Sequence, residues 1–389
     1  MLDFVFHNKT EIYFGKSSED RIGSLSRRLG KKVLLHYGGG SIKKTGFFHI
    51  IKDKLKEAGV EFVELGGVKP NPRVSLVREG IELCRRENVD GILAVGGGSV
   101  IDSAKGIAAG RFYDGDVWDL YEGKAKVGDL MPVGVILTIP AAGSESSLGS
   151  VLTNEEGWLK RDIGHPRMRP LFAIMNPERT YTLPPYQTAC GATDILAHVM
   201  ERYFTKTRHV ELTDRMSEGI MKTIVHNAPR VLKDPYNYDI RAEIMWAGTL
   251  AHNDLMGTGR EQDWATHNIE HEISGIYDIA HGAGLSIVFP AWMKYVMEED
   301  VARMAQFANQ VFDIEINPYD LKGTAMAGIT ALEKFYQSIG MPVRLSEAGI
   351  DDARIDEMAK KATNDDTRTL GSFRTLTSQD VAAILRLAQ

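Results

Sequence analysis

Up to the Pro184–Pro185 pair, short apolar runs alternate with amphipathic ones; beyond it, apolar residues recur only at helical spacing. That switch constrains the fold most. "FVFH" and "EIYFG" read as a hairpin turning at Asn8 and Lys9. "KKVLLHYGG", "VEFVELGG", "GILAVGGGS", "VGVILTIP" and "FAIMNP" read as further strands. Between them "GFFHIIKDKLKEAG", closed by Gly59, "VSLVREGIELCRRENV" and "SVIDSAKGIAAG" read as helices. Such alternation specifies a mostly parallel sheet covered on both faces. The expectation is an α/β nucleotide-binding domain over residues 1–184 and an all-α domain over 185–389, because proline disfavours helix before it and permits a helix start after it.

With 389 residues the chain exceeds one ordinary core, which again favours two domains. The cysteines are Cys84 and Cys190, far apart and in helical segments, so neither a disulfide framework nor a cysteine zinc site is available. A net charge of −6 with scattered basic residues argues against nucleic acid as a partner. The charged opening "MLDFVFHNKTEIYFGK" lacks the apolar stretch of a signal peptide, and no window approaches a membrane span. A cytoplasmic protein with small-molecule partners, no membrane and other subunits for company is expected.

In "GILAVGGGSVIDSAK", Gly96, Gly97 and Gly98 stand where a buried strand hands over to a helix beginning near Ser99. Absent side chains let backbone N–H groups approach a pyrophosphate, and the helix N-terminus adds partial positive charge. The spacing differs from G-x-G-x-x-G, and a plain tight turn would use the same glycines. A second strand-end loop, "LLHYGGGSIKKTG", carries no acid to meet a ribose hydroxyl. Tyr37, Gly38, Gly39, Gly40 and Ser41 leave room instead, and Lys43 or Lys44 supplies charge, so the cofactor expected is NADP, with NAD open.

Asp194 and His198 lie four apart in "GATDILAHVMERYF", so on a helix they share a face and can converge on one ion. His267 and His271 repeat that spacing, and His281 follows in the glycine-flanked "DIAHGAGLS". Asp194, His198, His267 and His281 form a nitrogen-rich set suited to one divalent Fe or Zn and unsuited to Mg or Ca. "HNIEH" also matches the H-x-x-E-H pattern, in which His267 and His271 would bind zinc with Glu270 as base. That reading leaves the first half of the chain and the Asp194/His198 pair unexplained.

Over nearly its whole length the chain resembles the iron-containing, or group III, alcohol dehydrogenases, in particular the butanol dehydrogenase and broad aldehyde reductase branch. The resemblance rests on "GGGSVIDSAK", "TIPAAGSES", "TYTLPPYQTACGATDILAHVMERYF" and "GREQDWATHNIEHEISGIYDIAHGAGLSIVFPAW". It implies a dehydroquinate synthase-like fold with the active site in the cleft between the domains. Asp194, His198, His267 and His281 match the family's metal ligands, which frees His271 to stand near nicotinamide and substrate. Gly97, Gly98, Ser99 and Asp102 match pyrophosphate and nicotinamide-side contacts, and Thr138, Ser144, Ser147 and Lys160 match further cofactor contacts. Relatives that use NAD often carry an aspartate after the strand "LLHY", and many carry threonine where this chain has Ala141 and Ala142.

The activity implied is hydride transfer between a nicotinamide and short- to medium-chain primary alcohols and aldehydes, with the metal as Lewis acid and His271 delivering the proton. The resemblance further implies a homodimer, for which the expected N-terminal hairpin offers an edge. A dehydroquinate synthase-like or glycerol dehydrogenase-like metalloenzyme would use the same fold. Such a lyase would need several basic residues for an acidic substrate, whereas Trp264, Ile269, Ile273 and Phe289 as well as Arg260 flank the ligands here, a mixed or apolar set. A non-enzymatic nucleotide-binding protein with a structural metal would instead show a closed ligand shell.

Overall fold

The computed structural model describes residues 1–389. They form two compact units, one of residues 7–182 and one of residues 183–389 together with 1–6.

In the first unit six strands, β1 (Glu11–Phe14), β2 (Lys32–Gly38), β3 (Glu61–Val68), β4 (Gly91–Gly96), β5 (Val133–Leu137) and β8 (Phe172–Met175), form a parallel sheet in the order β1-β8-β5-β4-β2-β3. β4, "GILAVG", is buried at every position, the signature of a central parallel strand. The helices are α1 (Ile22–Ser26), α2 (Ser41–Lys44), α3 (Phe47–Glu57), α4 (Val74–Arg86), α5 (Gly98–Gly110) and α6 (Trp118–Tyr121). In α4 the buried Val74, Val77, Ile81 and Cys84 recur at helical spacing, which makes one face apolar. From β2 the chain runs to the edge strand β3, whereas from β4 it runs the other way to β5. Strand order therefore reverses between β2 and β4, and the loops at their carboxyl ends border the crevice where α/β sheets bind ligands.

Two features depart from the sequence-based expectation. Residues 4–7 form no strand, so the expected N-terminal hairpin is absent; β1 instead pairs in parallel with β8, Glu11 opposite Phe172. The buried edge of "FAIM" offers β1 a ladder, while the Asn8 side chain turns the backbone before it, accepting from the Thr10 N–H at 3.1 Å. The first six residues cluster with the helical unit, where the Leu2 N–H meets the Gly259 carbonyl at 2.8 Å. The second departure is an antiparallel pair, β6 (Gly149–Asn154) and β7 (Leu159–Gly164), joined through Gly157 and Trp158 at positive φ. Its polar, weakly alternating sequence hides it.

The second unit is helical: α7 (Pro185–Tyr203), α8 (Glu211–Lys233), α9 (Tyr238–His252), α10 (Ala265–Tyr277), α11 (His281–Val296), α12 (Val301–Phe312), α13 (Leu321–Ser338), α14 (Ile355–Ala362) and α15 (Ser378–Leu387). Pro185 occupies the first turn of α7, where its missing N–H costs nothing. α7 is buried almost throughout and packs on α8, α9 and α11, with Trp292, Phe289, Phe204 and Phe307 at the centre of the core. No helix is long and apolar enough to cross a membrane.

Candidate metal centre and nucleotide loop

On α7, Asp194, His198 and Glu201 occupy positions i, i+4 and i+7 of one buried face. α10 brings His267 and α11 begins with His281. Ligand atoms of Asp194, His267 and His281 lie within 4.8 Å of one another. From Asp194 Oδ1 the distances are 3.9 Å to His267 Nε2 and 3.8 Å to His281 Nε2. His198 stands beside this trio, its Nδ1 3.0 Å from Asp194 Oδ1 and 2.8 Å from the Asp194 carbonyl oxygen that takes its hydrogen. His271, expected near the substrate, is buried with its ring centroid 5.8 Å from that of His281, and it groups with Glu270 and His281. His267 and His271 do not fall into one ligand group, and the Glu270 carboxylate is engaged by His281 Nδ1, so the H-x-x-E-H alternative is not assembled.

Two glutamates orient the imidazoles: Glu201, which spacing did not reveal, and Glu270, which the H-x-x-E-H spacing had suggested only as a base. His267 Nδ1 donates to Glu201 Oε1 at 2.8 Å, and His281 Nδ1 donates to Glu270 Oε2. Both carboxylates are buried. Fixing the proton on Nδ1 leaves each Nε2 lone pair facing Asp194, the arrangement that metal-binding histidines adopt. His267 Nε2 is buried with no hydrogen-bond partner, and Asp194 Oδ1, equally buried, has only His198 Nδ1 within 3.0 Å. Buried polar atoms without partners are rare, and one of them converging on a buried carboxylate is what a divalent cation would satisfy. Burial alone would raise the Asp194 carboxyl, but the imidazoles of His198, His281 and His267 hold it below the usual carboxylate range. Burial, followed by the charges of His198 and His281, pushes His267 well below the usual imidazole value. Aspartate ionised and histidine neutral are the forms a metal requires.

Glycines set the position of His281. A Cβ on Gly282 would fall 2.3 Å from the Cys190 carbonyl oxygen, and one on Gly284 would fall 2.6 Å from Glu270 Cγ. The first turn of α11 is therefore pressed against both α7 and the Glu270 side chain. Cys190 and Cys84 are both free thiols, in α7 and α4.

In the first unit, Gly38 ends β2 and Gly39 and Ser41 follow it, Gly97, Gly98 and Ser99 follow β4, and Thr138 follows β5, its N–H on the Gly96 carbonyl at 3.0 Å. α5 begins at Gly98 with no side-chain cap, and since the Val100 and Ile101 N–H groups both turn to the Gly97 carbonyl, those of Gly98 and Ser99 are the ones an anion would meet. Gly97 is also required by packing, since a Cβ there would sit 2.9 Å from Ile139 Cβ. Gly39 and Gly40 face open space, and Gly40, at φ +104°, caps α2. The end of β2 carries no carboxylate; Lys43 Nζ lies 4.8 Å from the Tyr37 ring centroid and 4.7 Å from that of Phe48.

Asp102, Ser144 and Ser147 join a buried network. Ser144 donates to Asp102 Oδ1 at 2.5 Å and the Val151 N–H to Asp102 Oδ2 at 3.0 Å. Lys105, which nothing in the sequence pattern singled out, donates to Ser144, Ser147 and the Gly149 carbonyl, the last at 2.8 Å. Burial pushes its ammonium down to about 8. Lys160, on β7, donates to Asn71 Oδ1 at 3.1 Å.

The family description "Iron-containing alcohol dehydrogenase" matches residues 9–177, and "Fe-containing alcohol dehydrogenase family, C-terminal" matches residues 188–389. A probable NADH-dependent butanol dehydrogenase of Bacillus subtilis is 43% identical over 99% of each chain. The NADPH-dependent aldehyde reductase YqhD of Escherichia coli is 37% identical over 97% of each. The crystal structure of an NADH-dependent butanol dehydrogenase from Thermotoga maritima superposes with a TM-score of 0.96 at 40% identity, covering 100% of this chain and 99% of that one. With matches running through both units and relatives alike along their full lengths, the chain belongs to the iron-containing alcohol dehydrogenase family.

Proposed function

We propose that the chain is a metal-dependent, NAD(P)-linked alcohol dehydrogenase that reduces short- to medium-chain aldehydes to primary alcohols, as butanol dehydrogenases and broad aldehyde reductases do. The observation that carries this is the buried His267 Nε2, which has no hydrogen-bond partner, converging with His281 Nε2 and His198 on the one buried carboxylate of Asp194. Asp194, His198, His267 and His281 would hold one divalent ion, iron by family or zinc. Such an ion supplies Lewis-acid polarisation of the aldehyde carbonyl. The reduced nicotinamide supplies the hydride.

The chain's own groups do the rest. Asp194 is the one anion among the four, so it neutralises a divalent charge only in part. Glu201 and Glu270 keep the Nε2 atoms of His267 and His281 facing inward. His271 holds the proton that the product oxygen takes up as the alcohol forms. Gly38, Gly39, Ser41, Gly97, Gly98, Ser99 and Thr138 form the cradle for the dinucleotide. Asp102, Ser144, Ser147 and Lys160 shape its wall, the first three through the Lys105 network.

Among cofactors we favour NADPH, because β2 ends without a carboxylate and with Lys43 beside it. We assign the assembly as a homodimer through the N-terminal stretch, where Leu2, Phe4, Val5 and Phe6 are exposed, Val5 at 96%. Such an apolar run is a ready interface for a second copy. The direct test is His267→Ala, which should lose metal retention and aldehyde reduction together; full activity in a metal-free variant would overturn the proposal.

A further inference from the structure

The residue before α10 is in a backbone conformation that its side chain does not favour. Trp264 has φ +67° and ψ 4°, in the left-handed region where glycine or asparagine is the usual occupant. For a bulky aromatic residue this conformation is strained and persists only where the surroundings over-determine it. They do so here. The Trp264 N–H donates to Glu201 Oε2 at 2.9 Å and the Asp263 N–H to the Glu201 carbonyl at 2.9 Å. Asn268 Nδ2 donates to the Trp264 carbonyl at 2.7 Å, and the indole Nε1–H donates to Gln262 Oε1 at 3.2 Å.

The backbone alone does not account for a tryptophan here, so the ring does. Its centroid lies 5.2 Å from that of His267, 5.9 Å from His198 and 5.6 Å from His252, at interplanar angles of 71°, 74° and 86°. Edge-to-face packing at such distances is attractive and directional. The Arg202 guanidinium covers the indole at 4.6 Å, and the same side chain donates to the His198 carbonyl at 2.7 Å. One indole therefore contacts two of the four imidazole and carboxylate groups assigned to the metal, while the Glu201 carboxylate that accepts the Trp264 backbone N–H also fixes the tautomer of His267.

We propose that Trp264 is a positioning residue of the metal centre: a strained cap whose indole wedges His198 and His267 at the angle and separation the ion requires. This role rests on the four-residue metal site proposed for the chain. Glu201 joins the two functions, since its Oε1 receives His267 Nδ1–H and its Oε2 receives the tryptophan N–H.

The test is titration of the purified full-length apoprotein with Co²⁺, followed by visible absorption and by tryptophan fluorescence. Trp264→Gly, which suits the backbone but removes the ring, should bind Co²⁺ about tenfold or more weakly and alter the band pattern of the bound ion, the size of effect that loss of a ligand-orienting group produces. Trp264→Phe keeps an aromatic wedge and should keep affinity within about threefold of wild type, yet lose most of the Co²⁺-dependent fluorescence quench. Unchanged affinity and spectrum in Trp264→Gly would overturn the proposal. Should that variant fail to fold, a full quench in Trp264→Phe would overturn it as well. A wild-type protein that takes up no Co²⁺ would instead sink the metal site on which the proposal stands.

Discussion

A single hydrogen bond decides whether each imidazole can serve. Glu270 is not among the four residues assigned to the ion; it acts by holding the His281 proton on Nδ1. Glu270→Gln would weaken that bond and leave the tautomer less defined, so metal affinity measured by chelator competition should fall about 10- to 100-fold while the helical signal persists. Helical periodicity put Asp194 and His198 on one face, but it paired His267 with His271; the choice of His267 and His281 instead came from the family resemblance. The orienting roles of the glutamates could not be read from the chain, since their partners depend on rotamers and on how α7, α10 and α11 pack. Glu201 left one trace, falling on the Asp194 face one turn past His198. His36 shows the same dependence on tertiary contacts. It is fully buried between the Leu65 carbonyl and the Ser103 hydroxyl, and burial lowers it to about 4. A histidine depressed below its unfolded value contributes stability that is present above about pH 6.5 and lost as pH falls through about 4. The loss should reach roughly 3 kcal/mol across that window, and His36→Gln should flatten it in urea midpoints compared at pH 7 and pH 4.5.

At the level of elements, the first turn of α11 shows how close packing serves a site. Gly282 lies against the backbone of α7 at Cys190, which cannot yield as a flexible side chain would. Gly282→Ala should therefore push α11 outward, costing roughly 1–3 kcal/mol in thermal or urea unfolding and weakening metal retention through His281. An unchanged melt would mean that the helices can part without cost. The central strands were legible because continuous apolar runs such as "GILAV" end in glycine, and α3 and α4 because their apolar residues recur at helical spacing. The β6–β7 pair and the parallel placement of β1 were not. A four-residue strand such as "EIYF" chooses its neighbour by which ladder is open, and local pattern favours a hairpin with the nearest apolar run. Here the open ladder was β8, distant in sequence.

For the whole molecule, strand order puts the loops after β2 and β4 at the point where the sheet reverses, and the four residues proposed for the metal all lie in the helical unit. The compact units meet between Thr182 and Leu183, and residues 1–6 join the helical one through backbone contacts such as Leu2 to Gly259, which no local sequence pattern encodes. Relatives named for NADH and for NADPH both align along the whole chain, so overall similarity does not decide the nucleotide. The end of β2 is what should decide it: kcat/KM with one aldehyde should favour NADPH, and Lys43→Ala should narrow the difference. A clear preference for NADH would mean that the missing carboxylate does not select the nucleotide. Metal dependence of hydride transfer is tested most directly by butanal-dependent oxidation of nicotinamide cofactor by one wild-type preparation as isolated, after chelation, and after Fe²⁺ or Zn²⁺ is restored. Turnover should vanish on chelation and return with the metal; undiminished turnover in protein shown to be metal-free would contradict it.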